Sequence, residues 1–408
     1  MRLPWGALAI GFNVMFLSSS LKGIYQIYFK DLAAGFSLGT GHFALSGAVF
    51  GLLLGILSPV VGMICDKKGA NYVLITGAIA AMVAFFLMSY TENYGLFFIG
   101  YAVVGAYAAA ALTFVPVGML IDCFFQQKKG LAFAVVSNGT ALGFIVLSPL
   151  WVWLHNWLQF KILAIGMVIV FLVLVLLPLL FWKKISDTNT NRKNVSDTEL
   201  FNLNGASIAR IIKTPAFFWL AVGFSGCGAS MLFIDMYFVP LMQDIFYQLP
   251  ANIIQRNISF SLSLLGIMEL IGAIWIGWII QIRSAGWLLC LLYGIRSAAM
   301  LSLLFINQGW GFILFSCVFG LSYMGTVIVT SLICLEYYGI HEKGKAFGLL
   351  FLIHQISVFA VAWAGGILYD FFQNYNYIII MVMVMTIISS LSGLKLQQVI
   401  RQSLIIEK

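Results

Sequence analysis

Charge is what this sequence has least of. Lysine, arginine, aspartate and glutamate make up 9% of its 408 residues, where a soluble chain carries about 25%. That shortage excludes a soluble enzyme, a disordered chain and a nucleic-acid binder, because too few polar side chains remain to cover a water-facing exterior. The six cysteines, Cys65, Cys123, Cys227, Cys290, Cys317 and Cys334, stand singly, with no CxxC pair and no histidine at ligand spacing. This pattern excludes a disulfide scaffold and gives no reason to expect a metal or redox site; each cysteine reads as a small core or lipid-facing residue. No phosphate-cradling P-loop and no nucleophile with a paired base is present, so neither nucleotide hydrolysis nor an integral membrane enzyme is expected, and no cofactor is implied. The first apolar run starts at Pro4 and passes residue 20 without an A-x-A-like cleavage site. It is therefore expected to be a first spanning helix rather than a signal segment.

What the sequence has is apolar length, 62% of its residues being hydrophobic. Breaks at charges and turn residues give twelve runs of about the 20 residues needed to cross a hydrocarbon core. The first six cover residues 4–28, 41–65, 72–89, 95–124, 130–153 and 162–181; the second six cover 215–241, 258–280, 286–306, 311–335, 344–369 and 377–394. The one long polar stretch, KKISDTNTNRKNVSDTELFNLNGASIAR at residues 183–210, lies between the sets. The expected fold is an all-α membrane protein of twelve transmembrane helices in two six-helix pseudo-repeats, residues 1–182 and 213–408, joined by a linker of residues 183–212.

The net charge of +8 follows from topology. Of the 22 basic residues, 17 fall on the side of the termini and linker, among them Arg2, Lys67, Lys68, Lys128 and Lys129, against only Lys30, Lys161 and Arg256 on the other side. The positive-inside rule then makes the termini and linker cytoplasmic in a multi-pass protein of the cytoplasmic membrane, with lipid rather than an anionic macromolecule as neighbour. Lys22 and Arg296 fall inside apolar runs.

The halves repeat one another. Asp122 to Phe133, between the fourth and fifth runs, matches Glu336 to Phe347, between the tenth and eleventh, at a constant offset of 214: an acid, an aromatic, a Lys-Gly and an Ala-Phe coincide without a gap. At an offset of 215, Gly62, Asp66 and Lys68 correspond to Gly277, Gln281 and Arg283. Two six-helix repeats of the same orientation are an architecture of alternating-access secondary transporters.

Gly62-Met63-Ile64-Cys65-Asp66-Lys67-Lys68-Gly69 resembles the major facilitator superfamily signature G-x-x-x-D-R/K-x-G between the second and third helices. Gly62 would allow close helix approach, while Asp66, Lys67 and Lys68 would brace a gate on the terminus side; the alternative is a charged turn that only caps a helix. Within the superfamily the chain resembles the monocarboxylate and oxalate/formate transporter group over nearly its whole length. The resemblance is carried by Lys-Gly-x-Ala-Phe at the start of the fifth helix, by His354-Gln355, by Gly365-Gly366-Ile367-Leu368-Tyr369-Asp370 and by Tyr375. It implies a substrate role for Lys22, near the group's first-helix lysine, and for His354, which matches a basic residue of oxalate-type members. Glu269 matches the group's eighth-helix acid, while Ala273 stands where that group carries an arginine.

Independently of any resemblance, ionisable residues inside spanning helices are functional candidates, because each is expensive there unless paired or hydrated. Aligning Gly11-Phe12 with Gly223-Phe224 puts Lys22 and Asp235 at nearly the same depth in equivalent helices, which predicts a pair across the two halves. Snorkelling of Lys22 towards the interface is the alternative. Glu269 is a candidate proton-coupling group together with Asp235; it could instead form a structural ion pair with Arg296. Tyr25 shares part of a helix face with Lys22, and Asn138, Tyr323, His354 and Gln355 complete the expected substrate contacts. The expected function is proton-coupled uptake of a small organic anion, such as a carboxylate, or of a zwitterion, by a monomer. Transport of a larger compound such as a siderophore or drug, or a membrane sensor without turnover, are the alternatives.

Overall fold

A computed structural model describes residues 3–90, 92–125, 129–181, 205–306 and 308–406. It contains twelve helices long and apolar enough to span a membrane. In the first half these are α1 Trp5–Ile27, α2 Thr40–Cys65, α3 Ala70–Met88, α4 Tyr94–Ile121, α5 Val135–Leu154 and α6 Phe160–Phe181. In the second they are α7 Pro215–Ile245, α8 Ala251–Ile279, α9 Ala285–Leu303, α10 Gly309–Gly339, α11 Glu342–Phe372 and α12 Asn376–Gln402. The expected fold class holds. The linker expected at residues 183–212 lies outside the described residues up to residue 204, after which Gly205–Ile212 is helical.

Helix ends follow local chemistry. The α7 helix begins with Pro215 at its first turn, where a missing N–H is harmless, and the Thr214 hydroxyl accepts from Phe217 N at 3.2 Å. Gly69 and Gly339 take φ values of 83° and 72°, so the turns between α2 and α3 and between α10 and α11 reverse through a left-handed residue that a side chain would strain. The α8 helix starts earlier than the sequence indicates, at Ala251, which takes Arg256 out of a loop and into the second helical turn.

Several spans are interrupted, and two pairs of interruptions fall at corresponding places in the repeat. The α1 helix breaks at Ser19, and α7 passes into a π turn at Phe233–Tyr237, 214 residues later. The α4 helix breaks at Leu112, after a π turn at Ile99–Gly105, and α10 breaks at Met324.

Among the described residues, the halves meet along a seam that is closed only on the side away from the termini. There Gly41 N donates to Asp370 Oδ2 at 2.7 Å, and a Cβ on Gly366 would lie 2.5 Å from Gly41 Cα, so α2 and α11 touch backbone to backbone. Ser263 Oγ of α8 donates to the Ile145 carbonyl of α5 at 2.9 Å. The largest apolar core runs through both halves, but from the second half it takes only far-side residues, such as Phe233, Phe238, Phe315 and Ile379. The terminus-side ends of the second half form a separate core around Phe217, Leu289, Ile333 and Leu350. On that side a Cβ on Gly277, Gly344 or Gly348 would meet nothing within 4 Å. Among the described residues the bundle is thus shut on the far face and parted on the face of the termini.

Candidate functional site

Two interrupted helices bring polar groups to the middle of the seam. The π turn of α7 carries Asp235, and the break in α10 follows Tyr323. Lys22 Nζ of α1 donates to Asp235 Oδ2 at 2.9 Å, and Tyr323 Oη donates to Asp235 Oδ1 at 3.3 Å. The Lys22 side chain is 41% exposed and that of Asp235 15%. Lys22 therefore points neither to the interface nor into a dry core: it faces the gap between the halves with one carboxylate beside it. A cation so placed can attract an anion, and the carboxylate competes with that anion for the same ammonium.

Arg296 on α9 is fully buried and has a different set of partners. Its guanidinium donates to Ser230 Oγ at 2.8 Å, Thr326 Oγ1 at 3.0 Å and the carbonyls of Ser322 and Tyr323 at 2.9 and 2.6 Å. Those two carbonyls lie at the α10 break, where helical N–H donors are interrupted, and the arginine replaces them. Ser230 and Ser322 spend their own protons on carbonyls of their own helices, leaving lone pairs free to accept from the guanidinium. The expected Glu269–Arg296 ion pair is accordingly not formed. Glu269 is 4% exposed, and its Oε2 has no hydrogen-bond partner among the described residues.

The other expected contacts divide. Tyr25 does not line the gap: it is 2% exposed, stacks on Tyr101 and Phe43 at 4.1 and 5.5 Å, and bonds Ser46 at 3.1 Å, all within the first half. Its position three residues after Lys22 turns the ring onto α2 and α4 rather than across the seam. His354 is buried between Phe224 and Phe351, at ring distances of 4.9 and 5.7 Å, and its Nδ1 has no hydrogen-bond partner among the described residues. Gln355 is buried against α2, where a Cβ on Gly55 would lie 2.6 Å from its own Cβ. Asn138 is exposed, one turn towards the termini from Ala141, whose carbonyl lies against Gly266 of α8. In the signature segment Lys67 and Lys68 are exposed, and the side chain of Asp66 lies outside the described residues. Gly62 makes no close approach, since a Cβ there would meet Val115 at an ordinary 3.8 Å.

Sequence reasoning passed over a second ion pair across the seam. Just beyond the far end of α1, in the short helix Phe29–Gly35, Lys30 contacts Asp244 of α7, which also accepts from Tyr369 Oη of α11 at 2.8 Å. Burial pushes the Lys30 ammonium down, to about 8, against the upward pull of Asp31; contact with Asp244 pulls in the same direction as Asp31. Lys30 and Asp244 are 214 residues apart, the offset of the repeat itself. That spacing was the available signal.

Comparison with known proteins agrees with this architecture. An uncharacterized MFS-type transporter of Bacillus subtilis, YcxA, is 26% identical over 393 residues, covering 93% of this chain and 91% of the relative. Human monocarboxylate transporter 12 is 19% identical over 395 residues, covering 91% of this chain and 76% of its own length. A crystal structure of a bacterial homolog of the human lysosomal transporter Spinster, described as inward-facing and unoccupied, superposes with a TM-score of 0.67 at 12% identity over 97% of this chain and 98% of that one. With residues 7–362 matching the family and twelve spans in two repeats, the chain belongs to the Major Facilitator Superfamily of membrane transporters.

Proposed function

We propose that this chain is a secondary transporter that binds a small organic anion, a carboxylate or a zwitterion bearing one, at Lys22 and carries it across the cytoplasmic membrane by alternating access, with proton-coupled uptake as the direction. The observation that carries the reading is the Lys22–Asp235 contact, a cation and an acid from opposite halves, 2.9 Å apart in the parted seam with the lysine 41% exposed. A substrate carboxylate arriving from the open side displaces Asp235 from the ammonium. The displaced Asp235 keeps Tyr323 as a donor but loses its counter-charge, and it is the group at which substrate binding and proton binding are coupled in this reading. Substrate and proton thereby become thermodynamically linked. Glu269, buried with an unpartnered oxygen, is the second proton acceptor. His354 and Gln355, buried at the α11 face, join the substrate contacts when the seam rearranges, as does Asn138. Lys67, Lys68 and Asp66 act at the terminus-side gate, which the excess of basic residues on that side makes cytoplasmic. The protein works as a monomer.

The test is counterflow of labelled lactate, pyruvate and oxalate in proteoliposomes holding the purified chain. Accumulation of at least one, accelerated by an inward proton gradient and lost in K22A, is the expected result. Wild-type counterflow by well-expressed K22A would overturn the reading.

A further inference from the structure

The turn that presents Asp235 is held from the opposite half. A π turn contains one residue more than an α turn, so it leaves a carbonyl without its regular donor and changes the direction in which the following side chains leave the helix. In α7 the π turn covers Phe233–Tyr237, and the Ile234 carbonyl accepts from Gln26 Nε2 of α1. Gln26 is buried and follows Lys22 by four residues, so both leave α1 on one face. They reach consecutive residues of α7, Gln26 the backbone at 234 and Lys22 the carboxylate at 235.

From this juxtaposition we infer that Gln26 is a positioning residue: by holding the Ile234 carbonyl it maintains the π turn and fixes the direction from which Asp235 meets Lys22. If the inserted residue were annealed away, the turn would become α-helical and Asp235 would swing by about 100°, one residue's rotation, away from α1. Donor and acceptor belong to different halves, so the bond lasts only while the far side of the seam is shut. The π turn, and with it the placement of Asp235, is thus tied to the conformational state, and opening of the far face releases Asp235 from Lys22 through the backbone as well as through distance. The role in transport rests on the proposed Lys22 and Asp235 site; the hold on the π turn does not.

Two readouts on the full-length protein test this. In Q26M, which keeps the volume but lacks the donor, amide hydrogen exchange over residues 233–239 should quicken about fivefold, while exchange over residues 312–323 of α10 stays at the wild-type rate. In proteoliposomes Q26M should raise KM for the labelled carboxylate about fivefold, and Q26M/D235N should be no worse than D235N alone, since the two act as a unit. Q26L provides the same comparison if Q26M does not accumulate in the membrane. Wild-type exchange over 233–239, or losses that multiply in the double variant, would overturn the inference. If K22A and D235N themselves transport normally, the substrate site is what fails, and hydrogen exchange alone then decides the role of Gln26.

Discussion

Lys22 and Arg296 are both cations inside spanning helices, and their surroundings differ in every respect that bears on function. Arg296 is fully buried, and its partners Ser230, Ser322, Tyr323 and Thr326 all belong to its own half. Nothing in that set changes when the halves move against each other. Lys22 is half-open to the seam, and its partner Asp235 belongs to the other half. Its interaction is therefore remade whenever the seam rearranges. Burial by itself does not mark a functional charge in a membrane; what distinguishes Lys22 is that its counter-charge lies on the other half. The two interrupted helices obey the same division. The α10 break is supported from within its half by Arg296, and the α7 turn from across the seam by Gln26.

The division predicts opposite phenotypes. K22A should lower kcat/KM for carboxylate uptake by about a hundredfold, because it removes the cation and leaves Asp235 unpaired, while thermal unfolding of the purified protein stays near wild type. R296M should do the reverse. It strips the bond set at the α10 break and should lower stability by about 2 kcal/mol, visible as a drop in unfolding temperature, with uptake per folded molecule reduced far less than in K22A. Equal stability losses in the two variants would erase the distinction.

Much of this division was legible beforehand. Spans and repeats followed from apolar length and the 214-residue offset, and the alignment of Gly11-Phe12 with Gly223-Phe224 paired Lys22 with Asp235. What could not be read was backbone irregularity. Arg296 looked as if it needed Glu269 because its actual acceptors are carbonyls exposed by a break at Met324, and a carbonyl has no letter in a sequence. Tyr25 looked like a site residue because helical spacing assigns a face within about a quadrant, whereas Tyr101 and Phe43 determine where the ring goes. The Lys30–Asp244 pair was missed because both residues lie at helix ends, where charges are ordinary.

Glu269 sharpens the comparison from inside the second half. It shares the half of Arg296, yet among the described residues its Oε2 has no hydrogen-bond partner and it forms no ion pair with the arginine. E269Q should remove the acceleration of uptake by an inward proton gradient, a several-fold effect, while leaving counterflow at equal pH close to wild type. Gradient-driven uptake at the wild-type rate in E269Q would place proton coupling on Asp235 alone.

The smallest effect concerns the far end of the seam, where Lys30 closes the face that Lys22 lies beneath. Its ammonium is pushed down to about 8, so the positive charge is present below that pH and is lost as pH rises through it. Loss of the charge unpairs Asp244, which among the described residues keeps the Tyr369 hydroxyl, and weakens the closure between the segment after α1, α7 and α11. Labelling of a single cysteine replacing Ala44, which is fully buried beside Gly366 at the α2–α11 contact, by a membrane-impermeant thiol reagent, in a background without the native cysteines, should therefore quicken about two- to threefold between pH 7 and pH 9, beyond the reagent's own pH dependence. K30R keeps its charge throughout this range and should flatten the response. Lys22 provides the contrast, since K22R should leave the response intact if, as proposed, the central ion pair serves substrate binding and the far-side pair serves closure.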